Sequence, residues 1–89
     1  MNIIEACRRL FKNKKLYAKR IKWENEMICI REIGWASQHE KTELTEEGKN
    51  DPSKFYIEHI NNNRLCGQMI PSLEDIITND WIIIDNNKL

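Results

Sequence analysis

Three cysteines, Cys7, Cys29 and Cys66, and two histidines, His39 and His59, are the side chains of this 89-residue chain best suited to metal or thiol chemistry. Their spacing points away from both. Structural zinc sites draw on closely spaced ligand pairs, and no Cys-x-x-Cys pair occurs. An odd, scattered set of cysteines also makes no disulfide framework, so free thiols in a reducing compartment fit best. Ser37 lies two residues from His39, and Glu58 adjoins His59. A nucleophile, however, needs its base within about 3 Å and a third group to orient it. Nothing local supplies that group, and neighbours along a strand point to opposite faces. Gly34, Gly48 and Gly67 stand singly, so no phosphate-cradling glycine loop exists, and no Gly-x-Ser-x-Gly or His-Glu-x-x-His motif appears. The chain reads as a non-enzyme without metal or cofactor.

The tryptophans say more. Trp81 stands against Ile82, Ile83 and Ile84 and reads as core. Trp35, next to Gly34, fits core, interface or ligand platform equally. Trp23 follows Arg20 and Lys22 and precedes Asn25, a residue able to read a base edge or a ribose. An indole stacked on a base contributes about 1–3 kcal/mol, and neighbouring cations can meet phosphates. A hairpin tryptophan folded back on its own sheet fits the same residues equally well.

The elements that position these residues follow from periodicity. Asn2 and Glu5 have the spacing of a capping box, and Ile3, Cys7, Leu10 and Phe11 recur at helical spacing up to Lys12, with Asn13 as a left-handed stop. Leu16–Ile21 alternates as a strand of undecided facing. Trp23–Glu26 turns into a stronger strand, Met27–Ile33. The polar stretch from Gly34 to Ser53 reads as a long loop. Phe55–Ile60, an Asn61-Asn62-Asn63 turn and Leu65–Ile70 form a hairpin, in which Gly67 marks a bulge or a close backbone approach. Ser72 caps a short helical turn with Asp75 reaching back, and Trp81–Ile84 is the last strand. The whole chain, 1–89, reads as a single α+β domain: an N-terminal helix packed on an antiparallel β-sheet, with a short helical turn before the last strand.

Charge narrows the partners. The net charge is zero, yet residues 1–23 sum to +7 and the remainder to −7. A basic third attracts phosphates or serves as a solvated face. A long nucleic acid would be repelled by the acidic remainder, so a small phosphorylated ligand suits the distribution better. The longest apolar run, Trp81–Ile84, is far short of the ~20 residues of a membrane span, and Met1–Glu5 lacks the features of a signal peptide. The expected location is cytoplasmic.

The segment Pro71-Ser72-Leu73-Glu74-Asp75-Ile76-Ile77-Thr78-Asn79-Asp80-Trp81 resembles a signature of small phage proteins, Ala- or Pro-Ser-Gln-x-Asp-Met/Leu-Leu-Ala-x-Asp-Trp, followed by a hydrophobic strand. Glu5-Ala6, Lys14-Lys15, Arg20-x-x-Trp23, the strand from Met27 and the Phe55–Ile70 hairpin fall in the same order. Leu73 stands where the signature has Gln. The family is the second Thoeris anti-defence family, whose relatives include a protein described as an anti-CRISPR of type II-A systems.

The resemblance implies a sponge acting in the host bacterial cytoplasm. Such proteins bind glycocyclic ADP-ribose, the messenger of Thoeris immunity, without cleaving it. They assemble as homotetramers with pockets at subunit interfaces, and some take up cyclic dinucleotides. On this reading Trp23 is the stacking platform, Asn25 the hydrogen-bonding reader, Arg20 the phosphate contact and Met27 an apolar wall. Ser72 and Asp75 match the signature, either as ligand contacts or as caps of the last helical turn. The anti-CRISPR relative implies an alternative, a protein-directed inhibitor of a bacterial defence nuclease or effector.

Overall fold

A computed structural model describes residues 1–33 and 50–85. Helix α1 spans Ile3–Lys12, its first turn capped by the Asn2 side chain, which accepts the Glu5 N–H at 2.8 Å. The Glu5 carboxylate turns instead to Arg9, one helical turn on, at 3.1 Å. The helix stops where expected but by a different device. Asn13 is extended, with φ −135°, rather than left-handed; its N–H closes on the Arg9 carbonyl and its side chain accepts the Lys15 N–H. An Asn side chain can thus redirect the backbone without a positive φ.

Five strands follow: β1 Leu16–Arg20, β2 Glu26–Glu32, β3 Phe55–Asn61, β4 Arg64–Gln68 and, after the short helix α2 Leu73–Ile77, β5 Trp81–Asp85. The sheet order is β4-β3-β2-β1-β5 and every pairing is antiparallel. The protein is therefore α+β, with an N-terminal helix on an antiparallel sheet and a short helix before the last strand. β5 returns to the free edge of β1, running from Leu16 opposite Asp85 to Arg20 opposite Trp81.

α1 lays Ile3, Ala6 and Leu10 on Ala18, Ile28 and Trp81, so the even-numbered residues of β1 and β2 face the helix. That decides the facing of β1: Leu16, Ala18 and Arg20 point to the α1 side. The β3–β4 turn has Asn62 and Asn63 at φ +54° and +63°, the two left-handed positions of a type I′ hairpin. Gly67 sits at φ +90° in a register shift opposite β3, and nothing lies within 4 Å of where its Cβ would be. It is a bulge glycine, chosen for conformation and not for crowding.

Trp35, Ser37 and His39 lie outside the described residues. The end of the expected loop that is described, Pro52–Lys54, forms a single 3-10 turn capped by Asp51. No helix of the described residues is long and apolar enough to cross a membrane.

Candidate functional site

Arg20 ends β1 on the helix side of the sheet, beyond the reach of α1, and is only 4 % exposed. A buried guanidinium needs its charge answered and its donors used. Asp80 takes Nε at 3.0 Å and Nη2 at 3.2 Å, a two-point contact; Asp75 takes Nη1 at 3.1 Å, and Glu74 takes Nη2 at 3.0 Å. Four of the five N–H donors of the guanidinium are thereby used. Lys22, on the β1–β2 turn, adds a second cation to Glu74 at 2.6 Å. Three carboxylates thus surround two cations.

The first turn of α2 supplies two of those carboxylates because Ser72 starts it. The Ser72 hydroxyl accepts the Asp75 N–H at 3.1 Å, and Asp75 Oδ2 accepts the Ser72 N–H at 2.9 Å, a complete capping box. Asp75 then spends its other oxygen on Arg20, and its carbonyl accepts the Trp81 indole N–H at 2.9 Å. One aspartate therefore ties α2 to β1 and to β5.

Trp23 covers this junction. Its half-buried ring meets Trp81 edge-on, centroids 5.0 Å apart at 80°, and tilts at 48° against His59, 6.1 Å away. Its carbonyl accepts Lys19 Nζ at 3.0 Å, which fixes the turn. His59 in turn lies 3.2 Å from the Glu26 carboxylate. Between Trp23, His59, Met69 and the start of α2 runs a mostly polar cleft of about 250 Å³.

The cleft brings together Arg20, Trp23, Ser72 and Asp75, four of the six residues singled out in the sequence. The other two stay outside it. Asn25 is exposed in the turn, where its carbonyl accepts the Asn62 N–H. Met27 pairs with Ile60, and strand alternation puts it with Cys29 and Arg31 on the face away from α1, so it does not wall the cleft. Arg20 lines the cleft, but its donors point to protein carboxylates; a ligand phosphate would have to displace one of them. The exposed cation at the rim is Lys22.

His59, Glu26, Lys22, Met69, Ile70 and Glu74 complete the lining and are not among those six. His59 carried a readable signal. In a strand whose Ile57 packs against the core, residue 59 points to the same face. Glu58 points to the other face, opposite Cys29, so it and His59 are no acid–base couple. Among the described residues no three His, Cys, Asp or Glu side chains gather as a metal site. Ser72 is committed to its cap. What the arrangement offers is an indole face ringed by hydrogen-bonding groups, a binding geometry.

The acids of the cluster respond to their partners. Bonds from Lys22 and Arg20 hold the Glu74 carboxyl below its usual range, and the bond from Arg20 does the same for Asp80. Burial opposes the ionisation of Asp75, but the Ser72 N–H and Arg20 outweigh it and keep this carboxyl low as well. A carboxylate with a depressed folded pKa stabilises the fold above its unfolded pKa and loses that contribution as pH falls through the folded one. The urea midpoint is therefore expected to be flat from pH 7 to about pH 5 and to fall steeply below about pH 4, near the ordinary Asp and Glu values. A midpoint unchanged down to pH 3 would show that the cluster contributes nothing.

Set against known proteins, the chain matches no family model, no curated protein and no solved structure.

Proposed function

We propose that this protein is a non-enzymatic phage anti-defence sponge, which binds and sequesters glycocyclic ADP-ribose in the host bacterial cytoplasm without cleaving it. The observation that carries the reading is the meeting of two separated segments. Arg20-x-x-Trp23 and Ser72-to-Trp81, the stretches that resemble the second Thoeris anti-defence family, join through Arg20 with Asp75 and Asp80 and through Trp23 with Trp81. Together they frame a polar cleft beside a half-buried indole.

In this reading the adenine stacks on Trp23, while His59 and the free edge of the Ser72 turn flank it. Lys22 answers a phosphate, and Arg20 holds the wall instead of the ligand. The cleft of about 250 Å³ falls just below the roughly 300–1,000 Å³ typical of small-molecule pockets. A dinucleotide-sized ligand would thus be only partly enclosed by one chain. A second copy would supply the rest, in keeping with a homotetramer whose pockets lie at subunit interfaces. Ile70, Leu73 and Ile77, all exposed beside the cleft, provide apolar surface for such a contact. The same surface would serve a protein-directed inhibitor, the alternative reading, and cyclic dinucleotides are the neighbouring ligand class.

The test is retention. Protein is incubated with glycocyclic ADP-ribose, freed of unbound ligand and heated, and the released molecule is weighed. Intact messenger is the expected result. A changed molecule would make the protein an enzyme, and an empty eluate would leave a protein partner as the leading idea. Trp23→Ala is expected to weaken binding by about 1–3 kcal/mol, roughly fivefold to 150-fold in Kd by calorimetry, because the stacking face is lost. Wild-type affinity in that variant would remove Trp23 from the site.

A further inference from the structure

A second concavity lies at the other end of the helix side of the sheet and shares no residue with the cleft. α1 rests on β1, β2 and β5, which leaves Phe55 and Ile57 of β3 beside the helix instead of beneath it. The result is a groove of about 860 Å³ between α1 and the β2–β3 half of the sheet. Its floor is apolar: Ile3, Ile4, Cys7, Ile30 and Ile57 line it. Ile4 is 60 % exposed, a large apolar side chain left facing water. Burial pushes the Cys7 thiol up, so it lines the groove as a neutral group.

The rim differs from the floor. Phe11 and Phe55 meet edge-on at 5.4 Å and close one end, and Lys14 Nζ sits 4.1 Å and 4.8 Å above their rings. Arg8 and Lys12, one turn apart on α1, flank that end, both exposed. Neither makes an ion pair among the described residues, whereas Arg9 is taken by Glu5. The groove is therefore greasy along its length and positive at one end.

We infer that this groove binds a single-chain amphiphilic carboxylate, a fatty-acid-like anion, with its head between Arg8 and Lys12 and its chain running toward Ile4. The dimensions suit such a ligand. The volume lies within the range of small-molecule sites, and the stripe Ile4, Cys7, Phe11 is about 10 Å long at 1.5 Å per residue. An extended peptide fits worse, since its N–H and C=O groups would press on a floor that offers them no partners. A helical peptide fits worse too, because a contact of about two turns is too short to fix a helix. A nucleotide fits worse as well, because its polar base and sugar would lie on an apolar floor of Ile3, Ile4, Cys7, Ile30 and Ile57.

The test uses the full chain, labelled with nitrogen-15, titrated with decanoate below its micelle concentration and separately with decan-1-ol. Saturable amide shifts at Ile4, Cys7, Phe11 and Ile57 are expected, with decanoate about three- to fivefold tighter, the effect of an exposed charge pair. Arg8→Gln with Lys12→Gln, both on the solvent side of α1, should erase that preference and leave the alcohol unaffected. The inference is overturned if decanoate gives no saturable shift, if acid and alcohol bind equally, or if the shifts centre on Trp23 and His59. It is also overturned if an acidic helical peptide occupies the groove where decanoate does not.

Discussion

Replacing Arg20 with alanine is expected to lower the thermal midpoint by about 12 °C or more, the largest polar effect among the described residues. The reason is the charge that remains. In the native protein Glu74, Asp75 and Asp80 converge on one guanidinium that is only 4 % exposed. Removing one partner of a buried pair costs about 3–5 kcal/mol, mostly because the other partner is left uncompensated. Here only Asp75 is largely buried, while Glu74 and Asp80 are 61 % and 31 % exposed and water screens them, so the cost lies at the lower end. For a domain of this size each kcal/mol moves the midpoint by roughly 4–8 °C. Asp75 would keep its Ser72 bonds, while Asp80 would lose its two-point partner. Arg20→Lys separates charge from shape: one ammonium cannot make the two-point contact with Asp80 and still reach Asp75 and Glu74. It is expected to recover part of the loss in a scanning calorimeter. A midpoint within about 3 °C of wild type for Arg20→Ala, well under what an uncompensated buried charge predicts, would mean that the cluster is ornamental.

That expectation was not legible in the sequence, and the reason is physical. Arg20 was read from its neighbours, Lys22 and Trp23, which suggested a phosphate. Its actual partners lie 54 to 60 residues away and become neighbours only because β5 pairs with the edge of β1. Charge asymmetry along a chain carries no information about which acids return to which bases. Met27 also departs from its expected place. The resemblance implies Met27 as an apolar wall, but a motif order says nothing about the face of a strand, and the parity that places Ile28 in the core sends Met27 to the other side. What could be read was local. The Asn2 cap, the Asn62-Asn63 turn, the Gly67 bulge, the Ser72–Asp75 box and the burial of Trp81 each follow from a few adjacent residues. The fold class followed from those local signals because alternating strands joined by short turns leave few antiparallel arrangements open. Trp35 and the polar stretch around it fall outside the described residues.

Trp81 joins the core to the cleft, and its replacement tests whether the two are coupled. It is fully buried, lies in the same cluster as Ala6, Leu10, Ala18 and Ile28, and donates its indole N–H to the Asp75 carbonyl at 2.9 Å. Trp81→Ala is expected to cost about 3–5 kcal/mol in urea unfolding, through lost burial and the cavity left behind. Trp81→Phe is the sharper experiment. It keeps an aromatic body in the core but leaves the Asp75 carbonyl without its donor, at about 1–3 kcal/mol. It also alters the edge-on support under Trp23, whose centroid lies 5.0 Å away. If the platform is held in place by this packing, Trp81→Phe should weaken messenger binding as well as stability, although Trp81 itself does not line the cleft. Were Trp81→Phe to lose stability yet bind as tightly as wild type, His59 alone would suffice to hold Trp23. Were it to keep both, the indole N–H would be idle, and the core would end at the sheet and not beneath the site.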